Sequence, residues 1–351
     1  MPDRLVSLLV GPEGDGARID AFLSAQDGMP SRSACARLVE DGHVTLNATP
    51  VSSKSERLCL GDRLQVTLPE AEPVSGVLAP NPYIPRDIRF EDQYLMVLSK
   101  QAGLVCHPSP GHVDDTLANA LVARYGYDHL GHLQGEDRPG IVHRLDMDTS
   151  GLMLAALDDE TQQALQDLIR LRTLDRRYIT LVHGMVAPDE GRIESGIARS
   201  VRDRLKMAVT DDPLARQAIT TFRTLERFEP GRKGEGYSLL ECHLYTGRTH
   251  QIRVHMAHIR HACVGDPLYG HGDAQLNLGL TRQFLHSWHV AFEHPSTGET
   301  VEVADTLPDD LAQALESIAA RSTGRTSAGE QILPALLGER DSSGVRDRRD
   351  S

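Results

Sequence analysis

A proline-rich segment divides the chain into two unequal parts. Residues 69–86 contain five prolines, namely Pro69, Pro73, Pro80, Pro82 and Pro85. Because proline fixes φ and has no backbone N–H, this density rules out a regular helix and favours an extended linker. The length of 351 residues also exceeds what one hydrophobic core usually organises. The sequence therefore predicts a small domain at residues 1–68, a linker at 69–86 and a larger domain from residue 87.

The small N-terminal part carries helix signals followed by strand signals. Residues 18–23 predict a short amphipathic helix, and Ser31 is a suitable N-cap for a second helix. Residues 43–47 and 63–66 predict two short strands.

This order of elements resembles the S-four domain, a small RNA-binding module shared with a ribosomal small-subunit protein. The matching positions are Arg18, Asp20, Ser31 to Ser33, Gly42, Val44, Asn47, Gly61 and Asp62. The resemblance implies that Arg32 contacts RNA, although a solvated basic face explains the residue equally well. The family usually has Asn-Gly at the hairpin, whereas Asn47 is followed here by Ala48. A left-handed alanine costs roughly 1 kcal/mol, so the sequence predicts a different turn.

The larger part contains a series of strand and helix signals. Residues 88–100 predict two strands joined by a turn, and residues 116–125 predict a helix. A second helix is predicted from the acidic run at 158–160 to about Leu174, because acidic residues suit a helix start. Strands are predicted at 175–184 and 238–244.

Two segments lack such regular signals. Residues 191–215 are charged and irregular, and we expect a hairpin or loop over a cleft. Residues 321–351 are rich in Arg, Ser, Gly and Asp, with an apolar run only at 332–337. This composition predicts a disordered tail, which leaves residues 87–320 as the second domain.

One stretch in the second domain combines apolar residues with a charged cluster. Ile141 and Val142 form an apolar strand end, a polar turn closes at Gly151, and a second apolar run follows. A short loop between strands is a rigid place to position a carboxylate such as Asp146. Taken alone, however, an Asp beside an Arg is more often a structural ion pair or a turn residue.

The whole string, His143-Arg144-Leu145-Asp146-x-x-Thr149-Ser150-Gly151, resembles the signature of the RluA-type pseudouridine synthases. These enzymes isomerise uridine to pseudouridine in structured RNA. Three further blocks match the family in chain order, at Lys100 to Pro108, Thr246 to His255 and Gly265 to Gly270. The resemblance covers roughly residues 15–308. It implies an α+β fold with a mixed, mainly antiparallel sheet and flanking helices.

The resemblance also assigns roles to individual residues. Asp146 corresponds to the catalytic aspartate, Arg253 to the arginine that pairs with it, and Tyr178 to a tyrosine beside the target base. Without the resemblance, Tyr178 is more simply a core residue of a strand. Leu285 is the expected apolar seal of the site. The other expected substrate contacts are His143, Arg144, Arg248 and His250.

The implied reaction breaks a glycosidic bond, turns the base and forms a carbon–carbon bond. It involves no redox change or phosphate transfer, so we expect no cofactor and no metal, and the sequence has no P-loop or dinucleotide-binding glycine string. Asp146 either attacks the anomeric carbon or removes a ribose proton, and the sequence does not choose between them. Burial raises a carboxyl pKa, and a neighbouring guanidinium lowers it by about 1–3 units, which makes Arg253 chemically necessary.

Composition limits the other possibilities. The net charge of −13 suits an RNA-binding protein only if basic residues cluster, as they do at 170–177, 199–204 and 248–260. The five cysteines are scattered without a Cys-x-x-Cys pair, which favours reduced thiols. His255, His258 and His261 lack an obvious further ligand, so no metal site is predicted. Neither a membrane span nor a secretory signal is evident, and we expect a cytoplasmic monomer.

The RNA target is the least constrained expectation. Family members with the small N-terminal module commonly modify large-subunit (23S) ribosomal RNA, so this target is favoured and transfer RNA is the alternative. A non-catalytic RNA-binding protein is a second hypothesis, which the intact string disfavours. A carbohydrate hydrolase using Asp146 and Asp148 is a third, and the aromatic content of 4% with a single tryptophan disfavours it.

Overall fold

The computed structural model of the chain separates into two compact units, residues 1–77 and 78–351. The structure describes residues 4–26, 29, 35, 38–39, 42–51, 53–68, 78–109, 111–201, 203 and 206–338.

The first unit is built on a four-stranded antiparallel sheet. Its elements are β1 (Arg4–Leu9), α1 (Ile19–Ser24), β2 (Val44–Leu46), β3 (Thr49–Pro50) and β4 (Arg63–Leu68). The strand order is β1-β4-β2-β3, and α1 buries Phe22 and Leu23 in a core that includes Val44, Leu64 and Val66. The predicted first helix and both predicted strands are confirmed. The predicted N-cap Ser31 and RNA contact Arg32 lie outside the described residues.

The hairpin turn between β2 and β3 differs from the expectation. Asn47 and Ala48 both adopt positive φ, at 50° and 66°, so the prediction of a different turn at Ala48 is wrong. Asn47 is held on both sides, since its side chain donates to Asp62 and accepts the Arg63 N–H at 2.8 and 2.9 Å. These bonds fix the turn and compensate for the strain at the alanine.

The second unit contains eleven strands and five α-helices among the described residues. Its strands are β5 (Asp87–Glu91), β6 (Leu95–Lys100), β7 (Ser150–Ala156), β8 (Asp175–His183), β9 (Glu190–Arg199), β10 (Met207–Thr210), β11 (Arg216–Phe228), β12 (Tyr237–Leu244), β13 (Leu285–Glu293), β14 (Thr300–Ala304) and β15 (Ser322–Arg325). Its helices are α2 (Leu117–Tyr125), α3 (Asp159–Leu171), α4 (Gln251–His258), α5 (Asp309–Glu316) and α6 (Ser327–Leu336). The predicted helices at 116–125 and 158–174 and the predicted strands are confirmed. The described residues of 191–215 include most of β9 and all of β10, which pair antiparallel.

These strands form one sheet, in the order β10-β9-β11-β12-β8-β13-β7-β6-β5, with β14 beside β13 and β15 beside β11. Among the described strands, β13 and β7 are the one parallel pair, and the other pairings are antiparallel. The predicted mixed, mainly antiparallel sheet with flanking helices is therefore confirmed.

Successive residues of the central strands enter different hydrophobic clusters, because side chains alternate across a sheet. Tyr178 of β8 packs in a cluster with residues of α2 and α4, whereas Ile179 packs with residues of α5 and α6. A third cluster joins α3 to β6 and β7. This alternation directs Tyr178 towards the side on which α4 lies.

Two predicted boundaries of the second unit are corrected. Residues 78–86 belong to the second unit, where Leu78 and Ile84 are buried, so the predicted linker at 69–86 extends too far. Residues 321–338 are folded, because Ile332 and Leu333 of α6 pack into the cluster that holds Phe228. The prediction of a disordered tail is wrong over this range, and residues 339–351 lie outside the described part. None of the described helices has the length and apolar content of a membrane span.

Candidate active site

Asp146 lies in a loop that enters the central sheet at β7. The loop turns back on itself through a hydrogen bond from the Thr149 N–H to the Asp146 carbonyl at 3.1 Å. Gly151 follows with φ of 109°, and a Cβ there would lie 2.2 Å from the Ser287 carbonyl oxygen. Only glycine permits this close approach of β7 and β13. Gly151 therefore fixes the point at which the loop joins β7.

A buried lysine also holds the loop. Lys100 is 1% exposed, and its ammonium donates to the carbonyls of Gln101, Leu104 and Met147, each at 2.9 Å. Burial lowers the pKa of Lys100 to about 8. Since all three N–H donors are satisfied and one of them bonds the carbonyl of the residue after Asp146, the lysine supports the loop.

The Asp146 carboxylate meets the guanidinium of Arg253, a residue of α4. Arg253 Nη1 donates to Asp146 Oδ2 at 2.9 Å. On its other edge, Nε and Nη2 donate to the two oxygens of Asp266 at 2.7 and 2.8 Å. The guanidinium is therefore oriented bidentately by Asp266 and presents its remaining edge to Asp146.

Asp266 is itself fixed by backbone donors. Its Oδ1 accepts the N–H groups of Leu268 and Tyr269 at 2.9 and 3.0 Å. Burial alone would raise the pKa of Asp266, but the Arg253 guanidinium and the two backbone N–H groups outweigh it, so the pKa is lowered. The carboxylates raise the pKa of Arg253 against the opposing effect of burial. The arrangement is one buried cation between two carboxylates, of which Asp146 alone faces the pocket.

His250 approaches the Asp146 carboxylate oxygen that Arg253 does not contact. Its φ of 56° is left-handed, and its Nε2 lies 3.9 Å from Asp146 Oδ1. The Tyr269 hydroxyl accepts the Met207 N–H at 2.8 Å and lies 2.9 Å from His250 Nδ1. If that hydroxyl donates to Nδ1, the proton of the imidazole is on Nε2 and faces Asp146. Burial lowers the pKa of His250, which favours the neutral ring.

These side chains surround a pocket that is small as it stands. Six residues expected to act in the site line it, namely Arg144, Asp146, Tyr178, Arg248, His250 and Leu285. Its cavity volume is about 50 Å³, whereas pockets for small molecules usually measure about 300–1,000 Å³. Larger cavities of about 540 and 610 Å³ lie elsewhere on the unit, but Asp146 lines neither. The cavity beside Asp146 is therefore smaller than the pockets that enclose small molecules.

One expected contact lies behind the pocket. His143 does not line the cavity, because its Nε2 accepts the Leu154 N–H at 3.1 Å and its Nδ1 is buried. Sequence reasoning also passed over two residues of the site. Asp266 and Tyr269 were noticed only as part of a matching block, and nothing in the sequence indicated that they contact Arg253 and His250.

Comparison with known proteins identifies the family. The sequence model of the RNA pseudouridylate synthases matches residues 94–258, and that of the S4 domain matches residues 17–64. A Bacillus subtilis protein named uncharacterized RNA pseudouridine synthase YlyB is 38% identical over 313 residues, covering 89% of this chain and 98% of its own length. The chain belongs to the RNA pseudouridylate synthase family. The synthase is thus an RNA-modifying isomerase with an S4 domain, as the resemblance implied.

The synthase is also similar to a named enzyme and to a solved structure. The ribosomal large subunit pseudouridine synthase D of Neisseria meningitidis serogroup A is 39% identical over 320 residues, covering 88% of this chain and 81% of its own. The solved structure of human RNA pseudouridylate synthase domain containing 1 superposes with a TM-score of 0.54 at 23% identity, covering 73% of this chain and 96% of that chain. The latter supports the fold alone. Among the described residues, no group of three or more His, Cys, Asp or Glu side chains is arranged to hold a metal.

Proposed function

We propose that the synthase converts uridine to pseudouridine in large-subunit (23S) ribosomal RNA, with Asp146 as the reacting carboxylate and no cofactor. The observation that carries the proposal is the hydrogen-bonded series Asp266, Arg253 and Asp146, in which the carboxylate of Asp146 lines the pocket. The names of relatives such as the Neisseria large-subunit enzyme support the ribosomal target.

In this mechanism Asp146 acts on the ribose of a uridine that has turned out of its stack. It either attacks the anomeric carbon or removes a ribose proton, and the bond between N1 and C1′ breaks. The uracil then rotates and C5 bonds to C1′, either as the ester bond between Asp146 and C1′ breaks or as Asp146 returns the proton that it took from the ribose; the C5 proton leaves, and N1 takes up a proton. Atoms and charge balance without any further reactant.

The other pocket residues position the partners of this reaction. Arg253 directs the carboxylate and compensates its charge, because its guanidinium cannot rotate while Asp266 holds it. Tyr178 provides a flat surface for the everted base, and Leu285 excludes water beside it. Arg144 and Arg248 supply positive charge at the rim for RNA phosphates.

The target is tested by mapping pseudouridines in ribosomal and transfer RNA from cells with and without the gene. We expect one or more sites in large-subunit ribosomal RNA to disappear and to return with the wild-type gene but not with Asp146→Asn. Loss confined to transfer RNA would favour the alternative target. An unchanged map in both RNAs would favour a protein that only binds RNA.

A further inference from the structure

Arg176 is a buried arginine whose side chain has no hydrogen-bond or ion-pair partner in the part of the chain that the structure describes. It lies on β8 two residues before Tyr178 and is 4% exposed. Within the described part of the chain it forms no ion pair and no hydrogen bond, and its Nε is fully buried. The adjacent Arg177 shows the ordinary arrangement, since its Nε and Nη2 donate to Asp175 at 2.9 and 2.6 Å. Because side chains alternate along a strand, the two arginines leave the sheet on opposite faces.

A buried charge without a partner lowers the free energy of unfolding. A charge removed from water needs a counter-charge or hydrogen-bond acceptors, and an uncompensated one is strongly destabilising. Burial accordingly lowers the pKa of Arg176. Because Arg176 destabilises the free protein, we expect it to gain a counter-charge or a hydrogen-bond acceptor when the synthase binds its substrate.

The position of Arg176 places that missing partner at the active site. Its Nη1 lies 3.4 Å from where a Cβ would stand on Gly247, the residue before the pocket-lining Arg248. Tyr178, from the same face of β8, lines the pocket itself. The guanidinium therefore lies against Gly247, the residue that precedes the pocket-lining Arg248.

His143 is a second donor without an acceptor among the described residues, and it is close enough to feel the charge of Arg176. Because His143 Nε2 accepts the Leu154 N–H, the neutral ring carries its proton on Nδ1, and this buried Nδ1 has no acceptor among the described residues. Burial, together with the nearby Arg176 charge, lowers the pKa of His143 to about 3, so the ring stays neutral. Both unsatisfied groups are donors. What they lack is an acceptor, and beside a cation the natural acceptor is an anion.

We propose that Arg176, together with the Nδ1–H of His143, binds a phosphodiester of the RNA strand beside the everted uridine. This inference rests on the proposed function, because the anion is taken to arrive with the nucleoside. The inference includes an opening of the small pocket for that nucleoside, in which Gly247 and Arg248 move away from the guanidinium. Arginines on the surface can bind any RNA nearby, whereas Arg176 binds only an RNA strand whose everted uridine has entered the pocket.

The test compares Arg176→Met with Arg177→Met, both in the Asp146→Asn protein so that no RNA is turned over. The probe is an in vitro transcript of 23S ribosomal RNA or a transfer RNA pool, whichever the Asp146→Asn protein binds more tightly. Removing one phosphate contact reduces the slope of log K against log salt by about 0.7–0.9. Between 50 and 200 mM salt, Arg176→Met should therefore lose about threefold less affinity than its parent. Arg177→Met should keep the parental slope, and Arg176→Lys should retain most of it.

Stability measurements separate this role from a structural one. Without RNA, Arg176→Met should melt at the temperature of its parent or higher, because the change removes an unpaired buried charge. An unchanged salt slope in Arg176→Met, or in Arg176→Gln if the first variant does not fold, would overturn the proposal. A melting temperature that rises with inorganic phosphate in wild type alone, without any change in the RNA slope, would identify a free-anion site and also overturn it. Failure of the carboxylate mechanism is seen separately, as turnover by Asp146→Asn.

Discussion

Replacement of Asp266 by Asn should slow turnover strongly, although Asp266 does not contact the substrate in the proposed mechanism. The amide keeps the size of the side chain but places an NH2 group against Arg253, either at Nε or at Nη2, where the carboxylate now accepts at 2.7 and 2.8 Å. Removing one partner of a buried ion pair destabilises by about 3–5 kcal/mol. For a domain of this size, that corresponds to a fall in melting temperature of about 6–20 °C.

The catalytic effect should follow from the lost orientation of Arg253. If the lost positioning and charge compensation of the Asp146 carboxylate raise the activation free energy by about 3–4 kcal/mol, turnover falls by about 10²–10³. RNA affinity should change less than threefold, because Asp266 is buried beneath the pocket. Calorimetry and single-turnover release of tritium from RNA labelled at uridine C5 measure the two quantities.

The control is Asp189→Asn. Asp189 also pairs with an arginine, Arg227, at 2.7 Å, but its side chain is 70% exposed. Its loss should cost under about 1 kcal/mol and leave turnover unchanged. If Asp266→Asn behaved like this control in both assays, the argument that Asp266 orients the Arg253 guanidinium would be refuted.

Two further predictions concern the groups around the loop. Because the pKa of Lys100 is about 8 in the folded protein and 10.5 for the free side chain, only the unfolded chain holds this proton between those values, so the free energy of unfolding should rise with pH there. Urea midpoints at two pH values, one on each side of 8, should show a rise in wild type that is absent from Lys100→Met; equal pH responses would contradict the assignment. Tyr269→Phe removes the hydroxyl between Met207 and His250, and one hydrogen bond of about 1.4 kcal/mol predicts roughly tenfold slower turnover. A loss of RNA affinity at an unchanged rate would instead indicate that Tyr269 contacts RNA.

Local signals in the sequence were sufficient for most of the fold. The helix at 116–125 was predictable because Thr116 is a recognisable N-cap, and its hydroxyl oxygen does accept the Asn119 N–H. The folded segment at 321–338 was not predictable, because the composition averaged over 321–351 hides the single apolar face by which α6 packs. The turn at Ala48 was missed since its support comes from Asp62, which approaches only in the folded sheet.

The active site shows the same division between local and distant information. Motif resemblance brought together Asp146 and Arg253, which are 107 positions apart in the chain and in contact in the structure. It gave no role to Asp266 or Tyr269, because their importance lies in which side chain each one holds. The unpaired state of Arg176 was equally hidden, since a basic residue in a strand usually finds a carboxylate nearby.

The central claim is that one carboxylate, Asp146, performs the chemistry. It is tested most directly by single-turnover pseudouridine formation in Asp146→Asn beside Asp148→Asn, a neighbouring carboxylate for which the structure shows no ion pair among the described residues. We predict no detectable product from Asp146→Asn, with RNA bound within about threefold of wild type, and nearly normal product from Asp148→Asn. Product formation by Asp146→Asn at a rate comparable to wild type would contradict the account.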